Sequence, residues 1–282
     1  MDTPLLLHPR AEPGAAPPPR AAPAPPARTP AAAKTTARRR GDSLPCRPWL
    51  EHLHAHLAVA RSGEDPEGVH QVRVAAGRLD VWLQMGRMHV LRDDLRWLRR
   101  QAAAVRDLDV LLLSGPPEPF MVWLLQHYGE ERRRLVASLE EPRLDGLLAA
   151  LAGLPPLPRA SAAAFLPRIG ARVLRRGRRA LRQRDAVEAM HGLRRALRRL
   201  RYALEWLGKR PRELKKLQEA MGDFNDTAVA VRLLRSCPEA AALAAYEQAL
   251  AQELERRRAA ALRAWTHTVP FLEESVHAWN CS

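Results

Sequence analysis

Two histidines, His70 and His191, each open a run in which arginine recurs at helical spacing. The runs read H-Q-V-R-V-A-A-G-R-L-D and H-G-L-R-R-A-L-R-R-L-R. At about 100° per residue, Leu193, Leu197, Leu200, Leu204 and Leu207 share one face of the second run. His191, Arg194, Arg195, Arg198, Arg199 and Tyr202 lie on the other face, with Arg201 at its edge. Between Arg194 and Arg201 stand five arginines and no acid. A merely solvated face mixes glutamate among its arginines, because like charges one turn apart repel by roughly a few tenths of a kcal/mol. The unmixed stripe therefore points to an external anion. Guanidinium forks match phosphate oxygens two at a time, so the chemistry expected is recognition of a phosphate-rich polyanion.

Further basic residues extend this surface. Arg168, Arg172, Arg175, Arg179 and Arg182 run along one side of a helix, within a stretch that also holds Arg176, Arg178 and Arg184. Lys215 and Lys216 follow on the next helix. In the first half of the chain Arg92, Arg96, Arg99 and Arg100 are the counterparts. The helix of His70 carries Arg73 and Arg78, but Gly77 and Asp80 stand where the second run has Arg198 and Arg201. The site should therefore be asymmetric, with its second half dominant. Asp107 and Asp226 occupy equivalent places after Arg106 and Asn225; they read as orienting carboxylates that fix an arginine or histidine, and Asn225 as a phosphate contact or a helix–helix hydrogen bond. His52 and His56 share a helical face, but no Glu or Cys is spaced to complete a zinc set, so no metal and no cofactor are expected. The chain lacks G-x-x-x-x-G-K-[ST], G-x-S-x-G and H-E-x-x-H, and no catalytic role is expected.

The elements that must position these residues are helical. Only Ile169 represents isoleucine, no stretch alternates at period two, and apolar residues recur at three and four. The pattern predicts helices near 48–61, 66–87, 92–112, 119–139, 161–183, 186–208, 211–235 and 239–268, separated by glycine and proline breakers that include Pro142. These fall into two sets of four. Aligning His70 with His191 brings Arg73 onto Arg194, Arg78 onto Arg199 and Leu79 onto Leu200, and R-D-L-D-V at Arg106–Val110 onto N-D-T-A-V at Asn225–Val229. This repeat implies a pseudo-symmetric all-α structure. Its first bundle should occupy about 45–156 and its second about 157–282. Residues 1–44, rich in Pro, Ala and Arg, cannot bury enough surface to order and read as a disordered tail.

The net charge is +15. It favours nucleic acid, phosphate polymers or an anionic surface over basic partners. Three cysteines, odd in number and without a C-x-x-C pair, fit a reducing, cytoplasmic compartment. No apolar run approaches membrane-spanning length.

The spaced motifs resemble the conserved histidine α-helical domain, CHAD. They stand at Val69–Leu79, Arg106–Val110, Met190–Glu205 and Leu217–Asp226, and the likeness extends over roughly 46–275. The resemblance implies two four-helix bundles about a pseudo-twofold axis, with His and basic residues lining a central groove or pore that holds inorganic polyphosphate, and an association with polyphosphate granules. Two other readings stand beside it: nonspecific nucleic-acid (RNA) binding by a basic helical protein, and an accessory scaffold for a phosphate-metabolising enzyme.

Overall fold

The computed structural model describes residues 42–183 and 187–281; the tail of residues 1–41 and Arg184 lie outside the described residues. The chain is all-α. The first set comprises α1 (Arg47–Ser62), α2 (Pro66–Met85), α3 (Arg92–Leu113) and α4 (Glu118–Leu139). Two shorter helices, α5 (Pro142–Ala152) and α6 (Arg159–Ala163), lead to α7 (Leu166–Arg182), α8 (Val187–Trp206), α9 (Glu213–Leu234) and α10 (Ala244–Asn280). In each set the four long helices pack neighbour to neighbour and close on themselves, α1 against α4 and α7 against α10. The sets meet along a seam where α2 faces α8 and α3 faces α9.

Sequence explains most of these boundaries. Asp65 precedes Pro66, whose fixed φ suits a first helical turn, and the Asp65 carboxylate accepts the Glu67 N–H at 2.7 Å. Gly63 ends α1 at φ 76°, a left-handed conformation that favours glycine. A side chain there would also collide with the Arg132 guanidinium, which donates to the carbonyls of Ala60 and Arg61 and so satisfies the end of α1. The leucine stripe of α8 is buried as its spacing predicts: Leu193, Leu197, Leu200, Leu204 and Leu207 are each at most 4% exposed.

Three features differ from the sequence expectation. Pro142 does not break a helix but opens α5. It sits in the first turn, where its missing N–H has no partner to lose, and Leu144, Leu147, Leu148 and Leu151 bury one face. The last helix runs to Asn280 instead of 268, continuing through Pro270. Its extra turns have a reason in α7, where Gly170 and Gly177 leave room for α10 to press close. A Cβ at Gly170 would strike Val276, and one at Gly177 would strike the fully buried Trp265. Finally, Ser43 and Leu44, counted with the tail by composition, pair antiparallel with Pro158 and Leu157. The Trp82 indole donates to the Leu44 carbonyl at 2.8 Å and anchors this bridge to α2.

Candidate functional site

The seam between the two sets opens into a basic groove with two basins. The first, of about 450 Å³, is lined by His70, Gln71, Arg73, Gly77 and Arg78 of α2, Arg99 of α3, and Arg194, Arg198, Arg201 and Tyr202 of α8. The second, of about 480 Å³, is lined by Gln84, Arg87 and His89 near the end of α2, Arg92 and Arg96 of α3, Phe165, Arg168 and Arg172 at α7, and Arg199. Between them lies a narrow neck bordered by Gly77, Arg99, Arg195, Arg198, Arg199 and Tyr202. Beyond the second basin, Arg172, Arg175, Arg176, Arg178, Arg179 and Arg182 form an open ladder along α7.

Charge in the first basin is poorly compensated. Burial, then the neighbouring Arg99 and Arg194, push Arg198 down to about 9. Arg194 is lowered by burial and by Arg73. Arg99 is lowered by burial as well, with Asp80 pulling the other way. A guanidinium remains charged at neutral pH even so, which means the fold holds mutually repelling cations in a partly desolvated place. His70 is also held below its usual range, first by burial and then by Arg106 and Arg73, against the pull of Glu67. Its Nδ1 is buried without a hydrogen-bond partner. His191 is lowered by burial and by Arg194, Arg195 and Arg232, with Glu188 opposing.

Gly77 and Asp80, the two departures in the first repeat, have definite work. A Cβ at Gly77 would stand 3.1 Å from the Tyr202 ring, so the missing side chain lets Tyr202 lie across α2 at the neck. Asp80 is 1% exposed and binds Arg92 Nε at 2.9 Å and Gln84 Nε2 at 2.9 Å. It also supports the charges of Arg99 and Arg199. The asymmetry expected at this corner is thus an aperture and a buried counter-ion.

The structure gathers the sequence-predicted residues unevenly. His70, Arg73, Arg78, Arg99, Arg194, Arg198 and Arg201 share the first basin; Arg96, Arg172 and Arg199 share the second; Arg175 and Arg179 lie on the ladder, and Arg195 at the neck. Arg106, His191, Lys215 and Lys216 line none of these cavities, and Lys215 pairs with Glu219 at 3.7 Å. Some arginines are already engaged. Arg78 pairs with Glu205 and is sandwiched between Trp49, at 4.0 Å, and Tyr202, at 4.8 Å. Arg201 also reaches Glu205, at 3.7 Å, and Arg195 binds Glu188 at 2.5 Å. Arg78 therefore latches α2 to α8, helped by the Trp206 indole donating to the Arg78 carbonyl at 3.0 Å.

Asp107 sits behind the first basin. Burial raises it, while Arg73, Arg232 and Arg194 pull it back. It lines a separate cavity of about 220 Å³ with Asp226 and Tyr246. Asn225 is 8% exposed and donates to Asp226 at 3.3 Å. His52 bonds Gln71 at 2.9 Å and His56 bonds the His52 carbonyl at 2.8 Å. Among the described residues no group of His, Cys, Asp and Glu is arranged to hold a metal ion, and no helix is long and apolar enough to cross a membrane.

Sequence reasoning did not assign Arg87 and His89 to the site, and named Arg92 and Arg168 only as part of the wider basic surface. Their grouping is tertiary, but Arg87 carries a signal visible in the backbone. It adopts φ 56°, a conformation that costs a non-glycine residue about 1–2 kcal/mol, at the turn that faces the second basin.

The CHAD domain sequence signature matches residues 47–235. Two solved structures share the fold. The crystal structure of the CHAD domain from the plant Ricinus communis is 24% identical, with a TM-score of 0.64 over 78% of this chain and 89% of its own. PptA from Streptomyces chartreusis is 20% identical, with a TM-score of 0.62 over 78% of this chain and 96% of its own. No curated protein matches the chain. The signature spans well over half of the sequence and includes every helix that lines the groove, and the protein belongs to the CHAD domain family.

Proposed function

We propose that the protein binds inorganic polyphosphate, without catalysing a reaction on it, in the basic groove along the seam. The observation that carries this reading is the cluster around Arg198. Arg73, Arg99, Arg194 and Arg198 converge on one basin whose lining includes no carboxylate, and burial with mutual repulsion pushes Arg198 down to about 9. A flexible chain with a negative charge on each unit relieves that repulsion all along its length. It needs dense guanidinium forks and little else, and the two basins offer few aromatic platforms of the kind on which nucleobases stack. The donors facing the basins are arginine, histidine, glutamine and tyrosine, a set suited to holding phosphate oxygens. The lining carries no carboxylate to act as a general base or to hold magnesium. Recruitment to polyphosphate granules would follow from binding of this kind.

The open arginine ladder on α7 favours a second reading, nonspecific RNA binding, because nothing in its shape discriminates between polyanions. A titration of the full chain with long-chain polyphosphate, competed by RNA at matched charge, separates the two. Saturable binding that RNA does not displace is the expected result. Equal displacement by RNA would overturn the polyphosphate reading.

A further inference from the structure

Resting on the polyphosphate reading, we propose that the seam holds two distinct phosphate-chain sites, and that a long chain gains its affinity by occupying both at once. The two basins have nearly equal volumes, about 450 and 480 Å³, and they share no lining residue. The neck between them is held firmly. Tyr202 is 4% exposed, with the guanidinium carbons of Arg78 and Arg201 at 4.8 and 5.0 Å from its ring and α2 closing in at Gly77.

Each basin has its own cations. Arg73 and Arg194 serve the first; Arg92, Arg168 and Arg172 serve the second. Consecutive residues of α8 divide the work, Arg198 facing the first basin and Arg199 the second, and both border the neck. Along α2 the lining runs from His70 to Gln84, about 21 Å of helix at 1.5 Å per residue. A chain shorter than this span fills one basin and leaves the other free. A longer one binds the first basin and meets the second at a high effective concentration, which raises overall affinity by about 10²–10⁴-fold without any new contact. Chain-length preference is thus built into the spacing of the two sites.

Calorimetric titration of the full chain with tripolyphosphate and with long-chain polyphosphate tests this. Tripolyphosphate is expected to bind at two sites per protein. The long chain should bind about 100-fold more tightly than either short-chain site. Arg194→Ala should abolish one tripolyphosphate site and Arg168→Ala the other, and each should remove most of the long-chain advantage. The site left in each variant reports that the chain has folded. A single tripolyphosphate site in the unaltered protein, or loss of both sites in either variant, would overturn the two-site proposal while leaving polyphosphate binding intact. Failure of both ligands to bind, or their equal displacement by RNA, would instead defeat the functional reading on which it rests.

Discussion

Replacing Arg198 with methionine should make the protein more stable and a weaker binder. The side chain keeps its length and apolar stem but loses its charge. Burial, Arg99 and Arg194 together push Arg198 well below the usual guanidinium range, to about 9. At about 1.36 kcal/mol per pH unit this sets a ceiling of about 5 kcal/mol on the cost of keeping the cation in place. The groove is open to water and salt, which screen much of that cost, so a gain of about 1–2 kcal/mol is the expected remainder. For a domain of this size each kcal/mol corresponds to about 2–4 °C in Tm; thermal unfolding without ligand should therefore rise by about 2–8 °C. A hydrogen bond to a charged group contributes about 1.5–3 kcal/mol, so polyphosphate affinity should fall about tenfold or more. Differential scanning calorimetry and a polyphosphate titration on the same samples give both numbers. A lowered Tm would refute the reasoning, since it would mean that partners hold Arg198 in place rather than repulsion straining it.

Five more outcomes follow from the same geometry. If about six phosphate charges are neutralised, the single-strand relation of about −0.7 per charge gives an affinity loss of about 300-fold between 50 and 200 mM salt, read from titrations across a salt series. His70, which lines the first basin, is depressed in the free protein, chiefly by burial, and a bound polyanion favours its charged form. Binding therefore takes up protons: affinity should rise as pH falls from 8 to 6, and His70→Gln should flatten the profile. The same depression makes the unfolded chain bind more protons below about 6.5, so the ligand-free protein should lose stability as pH falls through that value, as denaturant melts would show. Asp80→Asn should cost about 3–5 kcal/mol in urea unfolding, because it strips a buried cation of its partner; an unchanged midpoint would mean that Arg92 finds another. Gly177→Ala should cost at least about 1–3 kcal/mol by overpacking against Trp265, without altering which anions bind.

The two repeats and the helical class could be read from the sequence because each depends on local periodicity. The spacing that buries Leu193, Leu197, Leu200 and Leu204 also turns Arg194 and Arg198 to the opposite face. What could not be read depends on partners distant in the chain. Arg78 reads in the sequence as a ligand donor alone, but in the fold it also pairs with Glu205, 127 residues away. Arg92 and Arg168 belong to different sets and meet only when α3 approaches α7. The short α5 was hidden by a proline that serves equally to stop a helix and to start one. Gly77 looked like a defect in the repeat, because a residue that contributes by leaving space gives no chemical signal in one dimension.

The pressing of Trp265 into the notch at Gly177 links two segments 88 residues apart. At about 5–20 residues per second of synthesis, α7 leaves the ribosome roughly 4–18 s before the helix that covers its apolar side. During that interval the face of α7 that α10 covers, around Gly170 and Gly177, is without its cover on an arginine-dense segment, beside ribosomal RNA that carries the charge it attracts. Completion of α10 competes with that capture. The production of folded protein should therefore respond to the rate of translation between α7 and α10, and rare codons in that stretch should lower the soluble yield without altering a single residue of the groove.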